Sequence, residues 1–162
     1  MLSYSYRGTL TIAASFVVAL MLSALPMPVV AEPWRPAWVA LVLIYWCMAL
    51  PSHTGILTAW VVGLLLDVMT GALLGQHALA LAVTAFISLK VYRQVRVLPL
   101  WQQAITVYGL VFVFQALVMW VNGIKGMPVS LSAYFVVPLI SMLLWPWVFV
   151  VLRDTRRKFP VS

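Results

Sequence analysis

Charge is scarce in this sequence. Only 8% of its 162 residues are Asp, Glu, Lys or Arg, while 65% are hydrophobic. A soluble domain is about a quarter charged, so this chain cannot coat a surface that meets water. It reads as an integral membrane protein. A bilayer core of ~30 Å takes ~20 apolar residues per helix, so the length allows at most about six or seven spans. That leaves no room for a soluble domain, a nucleotide-binding fold or a large periplasmic head. Cysteine is nearly absent too. Cys47 stands alone in an apolar run, which excludes an intrachain disulfide and a zinc cluster and suits a small core residue. Strict apolar–polar alternation is missing, which argues against a membrane barrel. Backbone groups in lipid must pair within their own segment, so helices are the default. No repeat of 20–50 residues is visible.

Acidic residues are the rarest group, with three Asp+Glu against ten Lys+Arg and a net charge of +7. In a soluble protein that balance would point to nucleic acid. In a membrane protein, basic residues collect at cytoplasmic edges and set orientation, so no nucleic-acid partner is expected. Arg7, the apolar run from Thr9 to Leu25 and Val29-Val30-Ala31 before Glu32 look like a signal peptide. The segment is present in the chain and is expected to serve as a first transmembrane helix or anchor.

Breakers divide the rest. Six apolar spans are expected at about 9–31, 37–50, 55–70, 76–89, 100–121 and 131–152, as one all-α polytopic domain over 1–162. Pro26 and Pro28 disturb the end of the first, and the second is short, completed by Trp34 and Trp38. Pro51-Ser52-His53 is a tight turn, and Gly71 to Gly75 is a glycine-bounded link. Lys90 to Pro99 reads as a basic linker. Two of the shorter spans allow a re-entrant hairpin instead. With six spans, one side holds Arg7, Lys90, Arg93, Arg96, Arg153, Arg156, Arg157 and Lys158, and the other only Arg35 and Lys125. This eight-to-two split puts both termini in the cytoplasm. The basic rim could meet anionic lipid at about 1 kcal/mol per residue.

Asp67 is the only acid inside an apolar run. An ionisable group at membrane depth costs about 2.5–3.5 kcal/mol on insertion scales and usually has a partner. Its functional readings are a proton relay, a substrate ligand or a contact with another protein. The plainer reading is a capping acid bonded to nearby backbone or to Thr70. Ala59, Gly63, Asp67, Gly71 and Gly75 recur every fourth residue, a small-residue stripe that would let a second helix approach closely. Gly71 and Gly75 can instead serve a turn that needs positive φ. His53 and His77 are far apart with no second acid, so no metal or cofactor is expected. No nucleophile–base set, phosphate loop or carboxylate pair is present, so no catalytic residue is assigned. Trp34, Trp38, Trp101, Trp145 and Trp147 fit an interfacial aromatic belt. Pro138 and Pro146 lie inside the sixth run, where they should kink or widen a helix.

Several runs resemble one family. Gly63-Leu64-Leu65-Leu66-Asp67-Val68-Met69-Thr70-Gly71-Ala72-Leu73-Leu74-Gly75, followed by Gln76-His77-Ala78-Leu79, looks like the glycine–aspartate signature of MreD. Arg35-Pro36-Ala37-Trp38, leading into a helix that ends Ala49-Leu50-Pro51, is similar as well. Leu100-Trp101-Gln102-Gln103-Ala104 and Leu144-Trp145-Pro146-Trp147-Val148-Phe149 resemble the proteobacterial members. The likeness runs from about Tyr4 to Phe159. It implies a multi-pass, rod shape-determining protein of the inner membrane that works in side-wall peptidoglycan synthesis. The implied partners are the bitopic MreC as the direct one, the filament MreB, the polymerase RodA and a class-B penicillin-binding protein. The implied fold is similar to the six-helix substrate-binding subunit of energy-coupling-factor vitamin transporters, and the implied role is a non-enzymatic scaffold. The competing role is a small-molecule-binding or transport subunit. That role needs an outward pocket of convergent polar groups, for which the outer half offers Glu32, Asp67, Gln76, His77, Gln115 and Asn122.

Overall fold

The computed structural model describes residues 2–31, 34–128 and 131–159. The described residues form six helices: α1 (Leu2–Ala24), α2 (Trp38–Ala49), α3 (Ile56–Thr70), α4 (Gln76–Val95), α5 (Leu100–Ile124) and α6 (Leu131–Lys158). Four stretches are long and apolar enough to cross a membrane: Tyr6–Ala24, Gln76–Val95, Leu100–Ile124 and Tyr134–Lys158. Helices α2 and α3, of 12 and 15 residues, rise only ~18 and ~22 Å at 1.5 Å per residue, short of a ~30 Å core.

The shortest helix is the centre of the bundle. Val39 through Met48 are buried without a break, because the run Val-Ala-Leu-Val-Leu-Ile-Tyr-Trp-Cys-Met has no polar face and so must be covered on every side. Helices α1, α4, α5 and α6 all pack on it. A specific side-chain hydrogen bond leaves it: the Trp46 indole Nε1 donates to Ser15 Oγ of α1 at 2.8 Å. Helices α3 and α4 form a tightly packed hairpin, and α5 pairs with α6. Phe112 and Tyr134 meet edge-to-face at 4.5 Å across the second pair.

Several boundaries differ from the hydropathy pattern, each for a local reason. α1 begins at Leu2 and ends at Ala24, not near 31, since Pro26 and Pro28 lack the N–H that a continuing helix needs. The basic stretch from Lys90 to Val95 is the last turns of α4 rather than a linker. Lys90 holds its ammonium 4.5 Å from the Phe86 ring and Arg93 lies over Tyr92, so the cations ride on the aromatic collar of their own helix. α6 likewise continues through Arg153, Arg156, Arg157 and Lys158, with cations placed favourably at a helix C-terminus. It runs unbroken through Pro138 and Pro146. Trp145 is fully buried, so it belongs to the core and not to an interfacial belt.

Core and lipid-facing positions should respond differently to truncation. Leu43→Ala, in the buried centre of α2, removes contacts that nothing refills and should cost about 2–5 kcal/mol. Leu65→Ala, half exposed on the outer face of α3, should change little. Melting of the purified variants in detergent checks this, and equal shifts for the two would contradict a central α2.

Candidate functional site

The glycine–aspartate run is one mechanical unit, the α3–α4 hairpin. Ala59, Gly63 and Asp67 share the face of α3 that is buried. A Cβ on Gly63 would lie 2.3 Å from Ala78 Cα and 2.6 Å from Ala78 N, so the two backbones touch there and no larger residue fits. One turn on, Asp67 has no exposed surface. Its Oδ2 accepts the backbone N–H of Gly75 at 2.8 Å and, more weakly, that of Ala78 at 3.4 Å. Its Oδ1 accepts the N–H of His77 at 2.8 Å and faces His77 Nδ1 at the same distance. The first N–H groups of α4 have no partner within that helix. A carboxylate from the preceding helix supplies them, in the place where negative charge is favoured by the helix dipole.

Gly71 and Gly75 make the turn between. Gly71 caps α3 at φ 70 and Gly75 precedes α4 at φ 101, a left-handed backbone that costs other residues about 1–2 kcal/mol. No heavy atom lies within 4 Å of a Cβ at either, so conformation and not space selects glycine. The four-residue spacing therefore carries three separate demands: close approach at Gly63, capping at Asp67, and chain reversal at Gly71 and Gly75. Thr70 takes no part in the cap, since its hydroxyl donates to Leu66 O in its own helix.

The next residues extend the unit to α5. The buried Gln76 donates through Nε2 to Asn122 Oδ1 at 2.8 Å and to Val118 O at 3.2 Å, and its Oε1 accepts Lys125 Nζ at 3.2 Å. Arg35 performs a related task elsewhere: its guanidinium donates to Ser23 O and to Leu25 O, the free carbonyls at the end of α1. Pro36 then leads into α2, whose preceding Ala37 N–H donates to Ser141 Oγ of α6. Trp38 meets Trp147 edge-to-face at 6.4 Å. Trp145 packs beside Phe149, and Pro146 is exposed on α6. Lys90, Arg93, Arg96, Arg153, Arg156, Arg157 and Lys158 all lie at the C-terminal ends of α4 and α6 or directly after them.

Cavities open on the bundle between its described residues. One of about 490 Å³ gathers Arg35, Gln76, His77, Gln115, Asn122 and Lys125 on its wall; Asp67 stands behind that wall, bonded to His77, and Glu32 lies outside the described residues. The second, of about 810 Å³, is an apolar groove between α1 and α6. The third, of about 170 Å³, is lined by Arg96, Gln103, Arg153 and Arg156. Spacing along the chain did not signal this last one, because its residues come from α2, the residue after α4, α5 and α6. No group of three His, Cys, Asp or Glu that could hold a metal ion occurs among the described residues.

Long apolar helices, apolar outward faces and polar groups spent on tying helix ends define a helical membrane protein. The chain belongs to the MreD family: a model described as rod shape-determining protein MreD matches residues 5–155. The rod shape-determining protein MreD of Haemophilus influenzae is 37% identical over 148 residues, which covers 91% of each chain. No solved structure matches this chain. Membership of this family gives the protein a role in determining rod shape.

Hairpin variants should separate by mechanism. Asp67→Leu strands buried N–H groups at about 1–3 kcal/mol each, so it should unfold or badly destabilise the bundle. Asp67→Asn keeps one acceptor and should lose less. Gly71→Ala and Gly71→Leu should cost alike, because only φ is at stake, whereas Gly71→Asn should be milder. Melting temperatures in detergent order the set, and a harmless Gly71→Ala beside a damaging Gly71→Leu would mean that space, not backbone, matters there.

Proposed function

We propose that the protein is a non-enzymatic, multi-pass scaffold of the bacterial inner membrane that positions the side-wall peptidoglycan machinery by docking a partner's single membrane-spanning helix. The observation that carries this reading is the groove of about 810 Å³ between α1 and α6. It is lined along α1 from Arg7 to Leu22, ~24 Å of helix at 1.5 Å per residue, most of the depth of a ~30 Å hydrocarbon core. Thr11, Ala14, Ser15 and Ala19 face it, and small residues are what let two helices approach in lipid. A bitopic partner of the MreC type fits such a groove lengthwise. MreB, RodA and a class-B penicillin-binding protein would then be held in the same assembly through that partner or beside it.

Six crossings with both termini in the cytoplasm accompany this reading. The split of basic residues supports them, with α2 crossing as the shielded centre of the bundle. A bundle of the energy-coupling-factor type is compatible with six helices, though its likeness rests on the sequence runs alone.

The second reading is a small-molecule-binding subunit, and one observation favours it. Gln76, His77, Gln115 and Asn122, scattered in sequence, line one cavity together with Arg35 and Lys125. Convergent polar groups of this kind are what a ligand site needs.

Two experiments test the proposal. Cysteines placed at Val97 and Met127 should label from opposite sides of the membrane, with Val97 reached only from the cytoplasm; labelling of both from one side would overturn six crossings. Ala14→Leu, at an exposed position on the groove wall, should fill the groove, lower recovery of the bitopic partner about tenfold or more and cost rod shape, while leaving the melting temperature near wild type. Gln115→Ala, which touches only the polar cavity, should spare partner recovery. Loss of rod shape in Gln115→Ala with normal partner recovery would favour the small-molecule reading instead.

A further inference from the structure

The third cavity carries a more specific conclusion. It lies between the end of α2, the residue after α4, the start of α5 and the last turns of α6, where Arg96, Arg153 and Arg156 face one space of about 170 Å³. Arginine stays protonated in proteins, so three positive charges share this wall. Arg153 and Arg156 stand three apart on one helix, a spacing that makes like charges repel. The wall contains no carboxylate. Asp154 reaches Arg153 Nε only at 3.8 Å and is more than half exposed. Arg153 is held from behind by the Phe149 ring, 5.9 Å from its guanidinium carbon. Among the described residues, one distant and half-exposed acid stands against these three charges.

A second observation defines the ligand further. Gln103 is buried and lines the same cavity. Its Nε2 is spent on the carbonyls of Val95, the last residue of α4, and Leu98, in the turn that follows, at 3.3 and 3.1 Å. That fixes the amide's orientation and leaves Oε1 buried with no hydrogen-bond partner among the described residues. A buried acceptor without a donor is costly. A bare anion would satisfy the arginines but not this oxygen. The missing piece is a group that presents negative oxygens to guanidinium and an O–H to an amide oxygen.

We propose that this cavity binds a phosphate ester bearing a free hydroxyl, with the phosphate held by Arg96, Arg153 and Arg156 and the hydroxyl donating to Gln103 Oε1. Arginine forks match phosphate oxygens in pairs. The basic ends of membrane bundles lie at headgroup level, where such esters are abundant. Two sources share the chemistry, the glycerol headgroup of phosphatidylglycerol and a soluble ester such as glycerol 3-phosphate. The inference is independent of the groove between α1 and α6 and of the partner that occupies it.

Native mass spectrometry of the full chain, released from detergent with added lipid, provides the test. Wild type should retain phosphatidylglycerol several-fold better than phosphatidylmethanol, which has the same charge and no hydroxyl, and should retain phosphatidylcholine least. Arg96→Gln and Arg156→Gln should each weaken phosphatidylglycerol binding about tenfold, the loss of one charge-assisted contact. Arg157→Gln, exposed and outside the cavity, should leave it unchanged. Competition by glycerol 3-phosphate at comparable concentration would assign the site to a soluble ester, and its failure to compete would assign it to the lipid. Equal retention of phosphatidylglycerol and phosphatidylmethanol by wild type would overturn the proposal without recourse to any variant. So would equal losses in Arg96→Gln, Arg156→Gln and Arg157→Gln.

Discussion

A backbone N–H with no acceptor costs several kcal/mol in a membrane, and every helix start carries several such groups. Lipid offers no replacement for the lost water, so each helix end must be closed by the chain itself. The Asp67 carboxylate closes the start of α4 from the preceding helix, taking the N–H groups of Gly75 and His77 at 2.8 Å. The rest of the α3–α4 hairpin follows from this reach. Asp67 must sit one turn before the reversal, α3 must stop at Gly71 in a left-handed backbone, and the helices must touch at Gly63 so that the carboxylate arrives. A buried acid that is costly alone becomes the group that lets the hairpin exist in an apolar medium.

The same rule is applied at other helix ends with different side chains. Arg35 donates to the carbonyls that end α1, and Gln103 donates to the last carbonyl of α4 and to one in the turn after it. Gln76 ties the start of α4 to a carbonyl and an amide near the end of α5. Nearly every buried polar side chain with a long-range bond therefore works at a terminus. The helix sides are left to apolar packing, and α2 shows the limiting case, with ten consecutive buried residues and no polar stripe. A helix too short to span ~30 Å is tolerable at the centre because its neighbours, not lipid, surround its ends.

The sequence made part of this legible. The six apolar segments and their breakers are visible as runs, since bilayer thickness imposes length. Asp67 stood out because it is the one acid in an apolar run. Its partners did not, because they are backbone N–H groups, which every residue carries and no residue type announces. The four-residue glycine spacing looked like one helical stripe, whereas the helix stops at Thr70 and the last two glycines follow its rotation only in number. Trp145 resembled its exposed neighbour Trp147, since a residue type alone does not tell the core face of α6 from its outer face. Gln103 gave even less warning. An amide near the start of an apolar helix reads as a group facing water until the end of α4 is seen beside it.

Placement of polar groups at the ends also shapes what the protein can do. With its helix sides apolar, what the bundle presents to a neighbour there is shape. The groove between α1 and α6 is such a shape, nearly free of polar side chains but for Thr11, Ser15 and Thr155 and the Arg7 at one end. Association at a surface like this depends on packing, because lipid is as apolar as any partner and gives no hydrophobic drive. Packing rewards rigidity: a groove that changes width loses contacts along its whole length. The closed helix ends and the clamped hairpin supply that rigidity away from the groove. On this argument Asp67 influences assembly without touching a partner, since the carboxylate that fixes α3 against α4 also fixes α2, packed on α4, and with it the floor on which α1 and α6 rest.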